Sequence, residues 1–289
     1  MVDYYVGGNR EAMALRQGDE KVKRLYKYRP NNNYTLRLLE YQELYFSFIK
    51  DFNDPFDCRI IIDCIGSDEK SWRELAEKKH IPEPIRQEAL EGLRSIGFEA
   101  NKIKQIYDKS DFKTEVIYCL SEIKDNILMW SHYTNSHRGI CIGFETSIQF
   151  NSLVIKHNDL DLNRHPDPFY HNFLPISKIE YQNQYPPSYN IFKGEAGGLF
   201  AFLATKGEDW KYEKEHRIIL PYGDIKKNII KFDKSILKEV IVGSKAEESF
   251  MKQVFDIIKK NYLAEGYPVE VFESSLDDKI YKLNIKKIN

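Results

Sequence analysis

The stretch that decides the fold runs from Val116 to Phe144 and reads VIYCLSEIKDNILMWSHYTNSHRGICIGF. It begins with Val116–Leu120, whose β-branched and aromatic residues are typical of a buried strand. Asn126 is a residue type that caps helices, and it precedes a segment that we predict to be helical as far as Tyr133. The β-prone run Gly139–Phe144 follows. The pattern therefore predicts a strand, a helix and a strand in close succession.

Similar patterns on both sides of this stretch predict further elements. The predicted strands are Arg24–Arg29, Leu44–Phe48, Ile176–Tyr181, Glu213–Leu220, Val240–Val242, Val269–Phe272 and Ile280–Ile285, and the predicted helices are 9–20, 34–42, 68–110, 198–205 and 247–263. The long helical region is interrupted near Pro82 and Pro84. Residues 151–175 are polar and contain Pro, Asn and His, so we predict a long surface loop there.

The alternation of these elements indicates the fold class. Strands occur in both halves of the chain with helices between them, and several strands are close in sequence. We therefore predict an α+β fold with one curved mixed sheet flanked by helices. We expect a single domain spanning residues 1–289, with a helical insertion at about 68–112.

Composition and charge exclude some classes of protein. The chain has 289 residues, of which 42% are hydrophobic and 30% charged, as in ordinary globular proteins. A formal net charge of −1 argues against a general electrostatic binder of duplex nucleic acid, although a local basic groove stays possible. No apolar run is long enough for a membrane span, and Met1–Arg10 lacks the apolar stretch of a signal peptide. We therefore expect a cytoplasmic protein with no membrane contact.

Cysteine and histidine spacing does not predict a metal site. The four cysteines are Cys58, Cys64, Cys119 and Cys141. Their spacings match no zinc pattern, and we expect free, reduced thiols. The predicted loop contains His157, His165 and His171, whose spacing is irregular. We expect no metal, and the chain has no phosphate-binding loop motif of the G-x-G-x-x-G or Walker type.

The densest cluster of functional side chains is Trp210–Arg217, with the sequence WKYEKEHR. If it is a strand, Glu213, Glu215 and Arg217 share one face because side chains alternate. Two carboxylates this close repel each other, and a neighbouring arginine offsets the repulsion. Such an arrangement suits general acid–base chemistry or the stabilisation of a cationic transition state. The alternative interpretation is a solvated edge strand with an Arg–Glu pair.

A second cluster is Met129–Tyr133, with the sequence MWSHY. On a helix, Trp130 and Tyr133 are neighbours, so with His132 they would form an aromatic wall on which a planar ring could stack. The alternative is a core-packing helix with a hydrogen-bonded histidine.

The third cluster is Asn53-Asp54-Pro55-Phe56, which follows a predicted strand. Its polar groups could face a cleft, or it could be a tight turn. We expect Asn53, His132 and Glu215 to surround one cleft although they are far apart in sequence.

These motifs resemble the bacterial domain-of-unknown-function family 2971. The resemblance extends roughly from Leu25 to Ile285. It rests on Leu25–Arg29, Asn53–Phe56, Cys119–Ser121, Met129–Tyr133, Gly139–Cys141, Lys206 with Trp210–Glu215, and Val240–Gly243. It implies family membership without an activity.

The order of elements is also similar to the ADP-ribosyltransferase fold, particularly the DarT-like toxins that modify DNA. That resemblance implies a first strand with a polar ligand, here within Tyr26–Ser47. It implies a short aromatic helix beside the nicotinamide, here Asn126–Tyr133, and a late catalytic glutamate, here in Glu213-x-Glu215. The first strand has Tyr28-Arg29 where the best-known pattern has a histidine. The cleavage of a nicotinamide–ribose bond develops oxocarbenium charge, which a carboxylate stabilises.

The function that this resemblance implies is an NAD-consuming enzyme of the ADP-ribosyltransferase type, with a role as a toxin or anti-phage effector. NAD would be a substrate, and the acceptor would be nucleic acid or protein. Glu215 would be catalytic, with Glu213 and His132 beside it. The expected cofactor-binding residues are Tyr28, Arg29, Asn53, Asp54, Phe56, Ser121, Trp130, Tyr133, Trp210 and Arg217.

Two other functions fit the same motifs. One is a non-catalytic module for nucleic acid or protein, in which aromatic side chains stack on bases and basic residues hold phosphates. The other is a metal-independent nuclease or hydrolase that uses His132 and Glu215. The motifs leave the acceptor, the oligomeric state and any regulatory partner open.

Overall fold

The computed structural model describes residues 24–63, 68–78, 80–99, 101–103, 105, 115–147, 151–154, 172–190, 192, 198–221 and 228–288. Several sequence predictions lie outside these residues. They are the helix at 9–20, the centre of the loop at 151–175 with its three histidines, the end of the helical region at 106–110, and Cys64.

The helices and strands are as follows. The helices are α1 (Asn33–Tyr41), α2 (Glu69–Lys78), α3 (Glu83–Ser95), α4 (Ile127–Tyr133), α5 (Gly198–Leu203) and α6 (Glu248–Asn261). The strands up to residue 182 are β1 (Arg24–Arg29), β2 (Glu43–Tyr45), β3 (Ser47–Phe48), β4 (Ile62–Asp63), β5 (Glu115–Ser121), β6 (Ile140–Glu145), β7 (Ser152–Val154), β8 (Phe173–Pro175), β9 (Ser177–Lys178) and β10 (Glu180–Gln182). The later strands are β11 (Tyr189–Asn190), β12 (Thr205–Gly207), β13 (Glu215–Pro221), β14 (Ile229–Lys231), β15 (Leu237–Val242), β16 (Glu270–Leu276) and β17 (Leu283–Lys287). Short 3₁₀ turns occupy Ile49–Asp51, Glu208–Glu213, Lys234–Ile236 and Leu263–Glu265.

The chain divides into two compact units. The helical unit consists of Met1–Gln17, Phe48–Thr114 and Glu180–Glu208. The sheet unit consists of Gly18–Ser47, Glu115–Ile179 and Asp209–Asn289. The predicted single domain of residues 1–289 stays a prediction.

The sheet unit is built on a path of eight strands in the order β17-β16-β15-β6-β1-β5-β13-β9. Neighbours on this path are antiparallel, except for the parallel pair β15 and β16. The β-prone run predicted around Val116 lies within β5, where Val116, Ile117 and Tyr118 are buried. Its neighbour β1 is paired on both sides, so the predicted first strand lies inside the sheet.

Helices pack in two places in this unit. On one face, Tyr26 and Tyr28 form a cluster with Met129 and Trp130 of α4. Elsewhere in the unit α1 contacts α6, and the hydroxyl of Tyr262 donates to the carbonyl of Leu39 at 2.8 Å. The structure therefore has a mixed, many-stranded sheet together with helices. This confirms the predicted combination of a mixed sheet and flanking helices.

The helical unit contains α2, α3 and α5. The helical region predicted at 68–110 contains α2 and α3. The helical structure is interrupted between them, and Pro82 directly precedes α3, as predicted. Glu69 of α2 accepts from the guanidinium of Arg94 of α3 at 2.7 Å. A hydrophobic cluster of Ile60, Ile62, Ile103, Tyr189, Phe192 and Phe202 is buried in this unit. Among the residues given above, no helix is both long and apolar enough to cross a membrane.

Three predictions need correction in detail. The predicted strand Glu213–Leu220 begins at Glu215, because Glu213 ends a 3₁₀ turn and Lys214 adopts a left-handed φ of 42°. The predicted strand Ile176–Tyr181 is interrupted at Ile179 and forms β9 and β10. The ends of the predicted loop are extended, since β7 pairs with β8.

Candidate functional site

The candidate site lies in the sheet unit, where β1, β5 and β13 are adjacent. Ser121 at the end of β5 is paired with Tyr26 of β1 and with Glu215 of β13. Directly paired residues point to the same face of a sheet, so these three side chains share the face that α4 covers. The predicted residues Ser121 and Glu215 are therefore brought together by strand register.

Glu213 connects the two densest sequence motifs. Its side chain is 2% exposed, and its carboxylate accepts a hydrogen bond of 2.6 Å from the hydroxyl of Tyr133. The hydroxyl of Ser121 donates to the backbone carbonyl of Glu213 at 2.6 Å. The amide of Asn126 donates to the carbonyl of Tyr212 at 3.4 Å. The turn Glu208–Glu213 is thus held against α4 by side chains from both ends of that helix.

Glu215 and Arg217 form a buried ion pair on β13. Arg217 donates from Nε to one carboxylate oxygen of Glu215 at 2.7 Å and from a terminal nitrogen to the other at 3.1 Å. Arg217 is fully buried, and β13 lies between β5 and β9. The pair is therefore inside the sheet, which corrects the alternative of a solvated edge strand. Burial, with the nearby charge of Glu215 second, raises the pKa of the Cys119 thiol opposite Arg217.

The start of α4 is capped as predicted. The side chain of Asn126 accepts from the backbone amides of Leu128 at 2.9 Å and Met129 at 3.1 Å. These two amides would otherwise lack intrahelical partners.

Trp130 does not form a ligand wall. It is fully buried, and its indole nitrogen donates to the carbonyl of Lys124 at 2.9 Å. Its ring meets Tyr28 edge-to-face at 5.5 Å and stacks with His137 at 6.1 Å. The predicted role for Trp130 in stacking on a ligand is therefore wrong, and the core-packing interpretation holds for this residue. His132 is exposed, and Tyr133 is half-buried.

Tyr28 and Arg29 do not form a shared anchor. The hydroxyl of Tyr28 donates to the carbonyl of Ile123 at 2.8 Å on the face covered by α4. Arg29 follows it in β1 and therefore points to the opposite face, where it lies near Tyr118. The prediction that both side chains hold one dinucleotide is wrong for this geometry.

The sequence predictions missed a buried network around Glu239 of β15. Its carboxylate accepts from Arg24, from the hydroxyl of Tyr26 at 3.2 Å and from the ammonium of Lys124 at 3.2 Å. A Cβ at Gly143 would lie 3.0 Å from side-chain atoms of both Glu239 and Tyr26, so glycine makes room for this network. Burial, with Glu239 second, raises the pKa of Tyr26. The available signal was a glutamate directly before the apolar run Val240–Val242.

A second missed pair is His216 with Glu122. The Nε2 atom of His216 lies 2.8 Å from Oε1 of Glu122, and Lys178 lies 3.6 Å from the same oxygen. Burial alone would raise the pKa of Glu122, but His216 and the nearby lysines lower it below its usual value. His216 alternates with Glu215 along β13, so this pair occupies the other face of the sheet.

The Asn53–Phe56 segment belongs to the helical unit. The carboxylate of Asp54 accepts from the backbone amide of Phe56 at 2.9 Å, and Phe56 is exposed. This is the tight turn of the alternative interpretation. That Asn53 shares a cleft with His132 and Glu215 stays a prediction.

Trp210 lies within the turn Glu208–Glu213, with its ring centroid 6.1 Å from that of Tyr212. Within the part of the chain that the structure describes, no group of three His, Cys, Asp or Glu residues could hold a metal ion.

Comparison with known proteins identifies a similar family. The model of a family described as "Protein of unknown function (DUF2971)" matches residues 129–218 of this chain. The match confirms the predicted resemblance to that family over residues 129–218, which include Met129–Tyr133 and Trp210–Arg217. The rest of the predicted range from Leu25 to Ile285 lies outside the match. No curated protein and no solved structure matches the chain.

Proposed function

We propose that the sheet unit carries an NAD-cleaving site of the ADP-ribosyltransferase type, with Glu213 as its reacting carboxylate. The observation that carries the proposal is the 2.6 Å hydrogen bond between Tyr133 and Glu213. It joins the aromatic helix and the acidic motif that the resemblance places on either side of a nicotinamide-ribose group. The curved, ADP-ribosyltransferase-like form of the sheet belongs to the same proposal.

The proposed chemistry breaks the bond between C1′ of the ribose and the nicotinamide nitrogen. The electron pair of that bond leaves with neutral nicotinamide, and C1′ becomes an oxocarbenium centre. A nucleophile on the acceptor then bonds to C1′ and loses its proton to solvent. Glu213 stabilises the cationic centre, because a fixed carboxylate in a water-poor site is most effective where charge develops.

Two neighbours of Glu213 act as positioning residues in this proposal. Tyr133 orients the carboxylate through its hydroxyl, and Ser121 fixes the backbone of residue 213. The role of Glu215 in this proposal differs from the catalytic role that the sequence predicted. Both of its carboxylate oxygens accept from Arg217, so it suits a structural role in the strand next to the site. The hydrolase alternative gains no support, since His132 is exposed and Glu215 is buried.

The test is to incubate the purified chain with NAD and to measure nicotinamide release. Glu213→Gln keeps the size of the side chain and removes its charge, so we expect at least about a hundredfold loss of rate, or roughly 2.7 kcal/mol. Glu273→Gln is the matched control, because Glu273 is an exposed glutamate of β16 in the same unit. Circular dichroism should show both variants folded.

Two outcomes would contradict the proposal. One is a wild-type chain that neither binds NAD nor releases nicotinamide with any nucleic-acid or protein acceptor supplied. The other is equal loss in the Glu213 and Glu273 variants. If the wild type instead binds single-stranded DNA, and Trp210→Ala weakens that binding by roughly 1–3 kcal/mol, the binding-module function replaces the transferase.

A further inference from the structure

Three hydrogen-bond donors lie together on the sheet face opposite α4. Lys27 and Arg29 alternate with Tyr26 and Tyr28 along β1, and they therefore point away from the α4 face. The ammonium of Lys27 lies 4.5 Å from the centroid of the Tyr118 ring on β5. Arg29 and Tyr118 are close enough to influence each other's ionisation. The same face of the sheet therefore carries an ammonium, a guanidinium and a phenol.

Two of these donors lack an acceptor among the described residues. Tyr118 is 1% exposed, and among the described residues nothing accepts from its hydroxyl or from Nε of Arg29, although both atoms are shielded from solvent. Lys27 donates to the carbonyl of Cys119 at 2.9 Å, which uses one of its three hydrogens. Buried polar groups are nearly always paired, so two unpaired donors side by side need an explanation.

Arg29 also lacks a counter-charge. Within the described part of the chain, no carboxylate forms an ion pair with it, whereas the buried Arg217 is paired with Glu215 and Arg24 with Glu239. Burial lowers the pKa of Arg29 and of Lys27, which shows that their surroundings disfavour positive charge as they stand. Lys27 feels the more distant carboxylates of Glu215 and Glu213 only as minor influences.

We propose that Lys27, Arg29 and Tyr118 bind the phosphate group of a ligand. A phosphate offers several acceptor oxygens to a guanidinium fork, an ammonium and a hydroxyl, and it supplies the negative charge that this cluster lacks. Lys27 and Arg29 are half-buried residues, so the cluster borders on solvent. Nε of Arg29 and the hydroxyl of Tyr118 are shielded in the ligand-free chain, so a ligand reaches these two atoms only when the side chains around them move. The site is on the opposite face from the Tyr133–Glu213 contact, and it does not depend on NAD cleavage.

The test measures binding to the full chain by calorimetry in chloride buffer, with inorganic phosphate, pyrophosphate and ADP as probes. We expect saturable binding of at least one probe. Arg29→Met should weaken it more than about tenfold, and Tyr118→Phe, which removes one oxygen, should weaken it several-fold. Arg138→Met is the control, since Arg138 is an exposed arginine of the same unit, and it should leave binding unchanged.

The stability of the variants separates a ligand site from a structural role. Without phosphate, Arg29→Met should melt no lower than the wild type, because it removes a cation that has no partner. With phosphate, the melting temperature of the wild type should rise and that of Arg29→Met should not. If Arg29→Met fails to fold, Tyr118→Phe is the variant that tests the proposal, because it removes one oxygen and keeps the core packed.

The three probes distinguish the source of the phosphate. Equal affinity for phosphate and ADP identifies a free anion site, whereas ADP binding more than about tenfold tighter identifies a nucleotide site, and both support the proposal. It is overturned if no probe binds, or if both Arg29→Met and Tyr118→Phe bind as the wild type does. Glu213→Gln should bind phosphate normally, so failure of the NAD proposal leaves this test intact.

Discussion

At the scale of single residues, the Glu215–Arg217 pair gives the sharpest prediction. Glu215→Gln removes the negative charge that pairs with the fully buried Arg217, and changing one partner of a buried pair typically costs about 3–5 kcal/mol. We expect the free energy of unfolding in urea to fall by about that amount. Arg37→Met, which breaks an exposed pair with Glu43, should cost no more than about 1 kcal/mol.

The double variant tests the cause of that loss. Replacing both residues, as Glu215→Leu with Arg217→Met, removes the two charges of the pair together and should recover much of the stability. If Glu215→Gln is as mild as Arg37→Met, the pair does not support the strand, and the catalytic role first predicted for Glu215 regains its place.

His137 predicts a pH dependence of stability. Burial, with Lys245 second, lowers its pKa in the folded chain below the usual value of about 6.5. As the pH falls through about 6.5, the unfolded chain therefore takes up this proton first, and stability falls until the folded pKa is passed. His137→Gln should reduce the loss of unfolding free energy between about pH 7.5 and pH 5.

The control for this experiment is His132→Gln, which changes an exposed histidine close to His137 in sequence. It measures the effect of the same substitution at a solvent-exposed position. His137→Gln with an unchanged profile would show that burial does not hold the imidazole of His137 in its neutral form.

At the scale of elements, the cap of α4 makes a separate prediction. Asn126→Ala removes the acceptor for two backbone amides of a seven-residue helix, which should cost about 1 kcal/mol of unfolding free energy. It also frees the end of α4 next to Tyr212, so nicotinamide release, if present, should fall as well. Asn126→Asp keeps a capping oxygen and should retain stability, and equal losses in the two variants would contradict the cap.

Local pattern was sufficient for most elements of the sheet unit and insufficient for the site. β1, β5 and α4 were predicted because apolar spacing and an N-cap are local signals. The end of the turn at Glu213 was missed because the left-handed residue is Lys214, a residue type that does not indicate such a conformation. Because the backbone turns at Lys214, Glu213 does not take part in the alternation of side chains along β13.

The buried face of α4 was also beyond local pattern. The helix is apolar at four consecutive positions, yet Leu128 is exposed while Met129 and Trp130 are buried. Only the strands packed against it decide which side is covered. The order β6-β1-β5-β13 likewise depends on pairings between residues far apart in sequence, and it determines that Ser121 lies beside Glu215. The pairing of strands that are far apart in sequence therefore decides which side chains meet at the site.

At the scale of the whole molecule, cysteine reactivity can test whether the chain unfolds as one domain. Cys58 of the helical unit and Cys141 of the sheet unit are both buried cysteines. A buried thiol reacts only when the structure around it opens, so each reports the opening of its own unit. Cys141 lies in the central β6, whereas Cys58 follows a tight turn in a segment without long strands.

We therefore expect Cys58 to become reactive at a lower urea concentration than Cys141. The measurement is pulsed alkylation over a urea series, followed by mass spectrometry of the peptides that contain each cysteine. Non-reducing digestion of the same samples should show no disulfide, as the predicted reducing compartment requires. If both thiols react with one midpoint and one slope, the units unfold together, and the single domain predicted for residues 1–289 is the correct description.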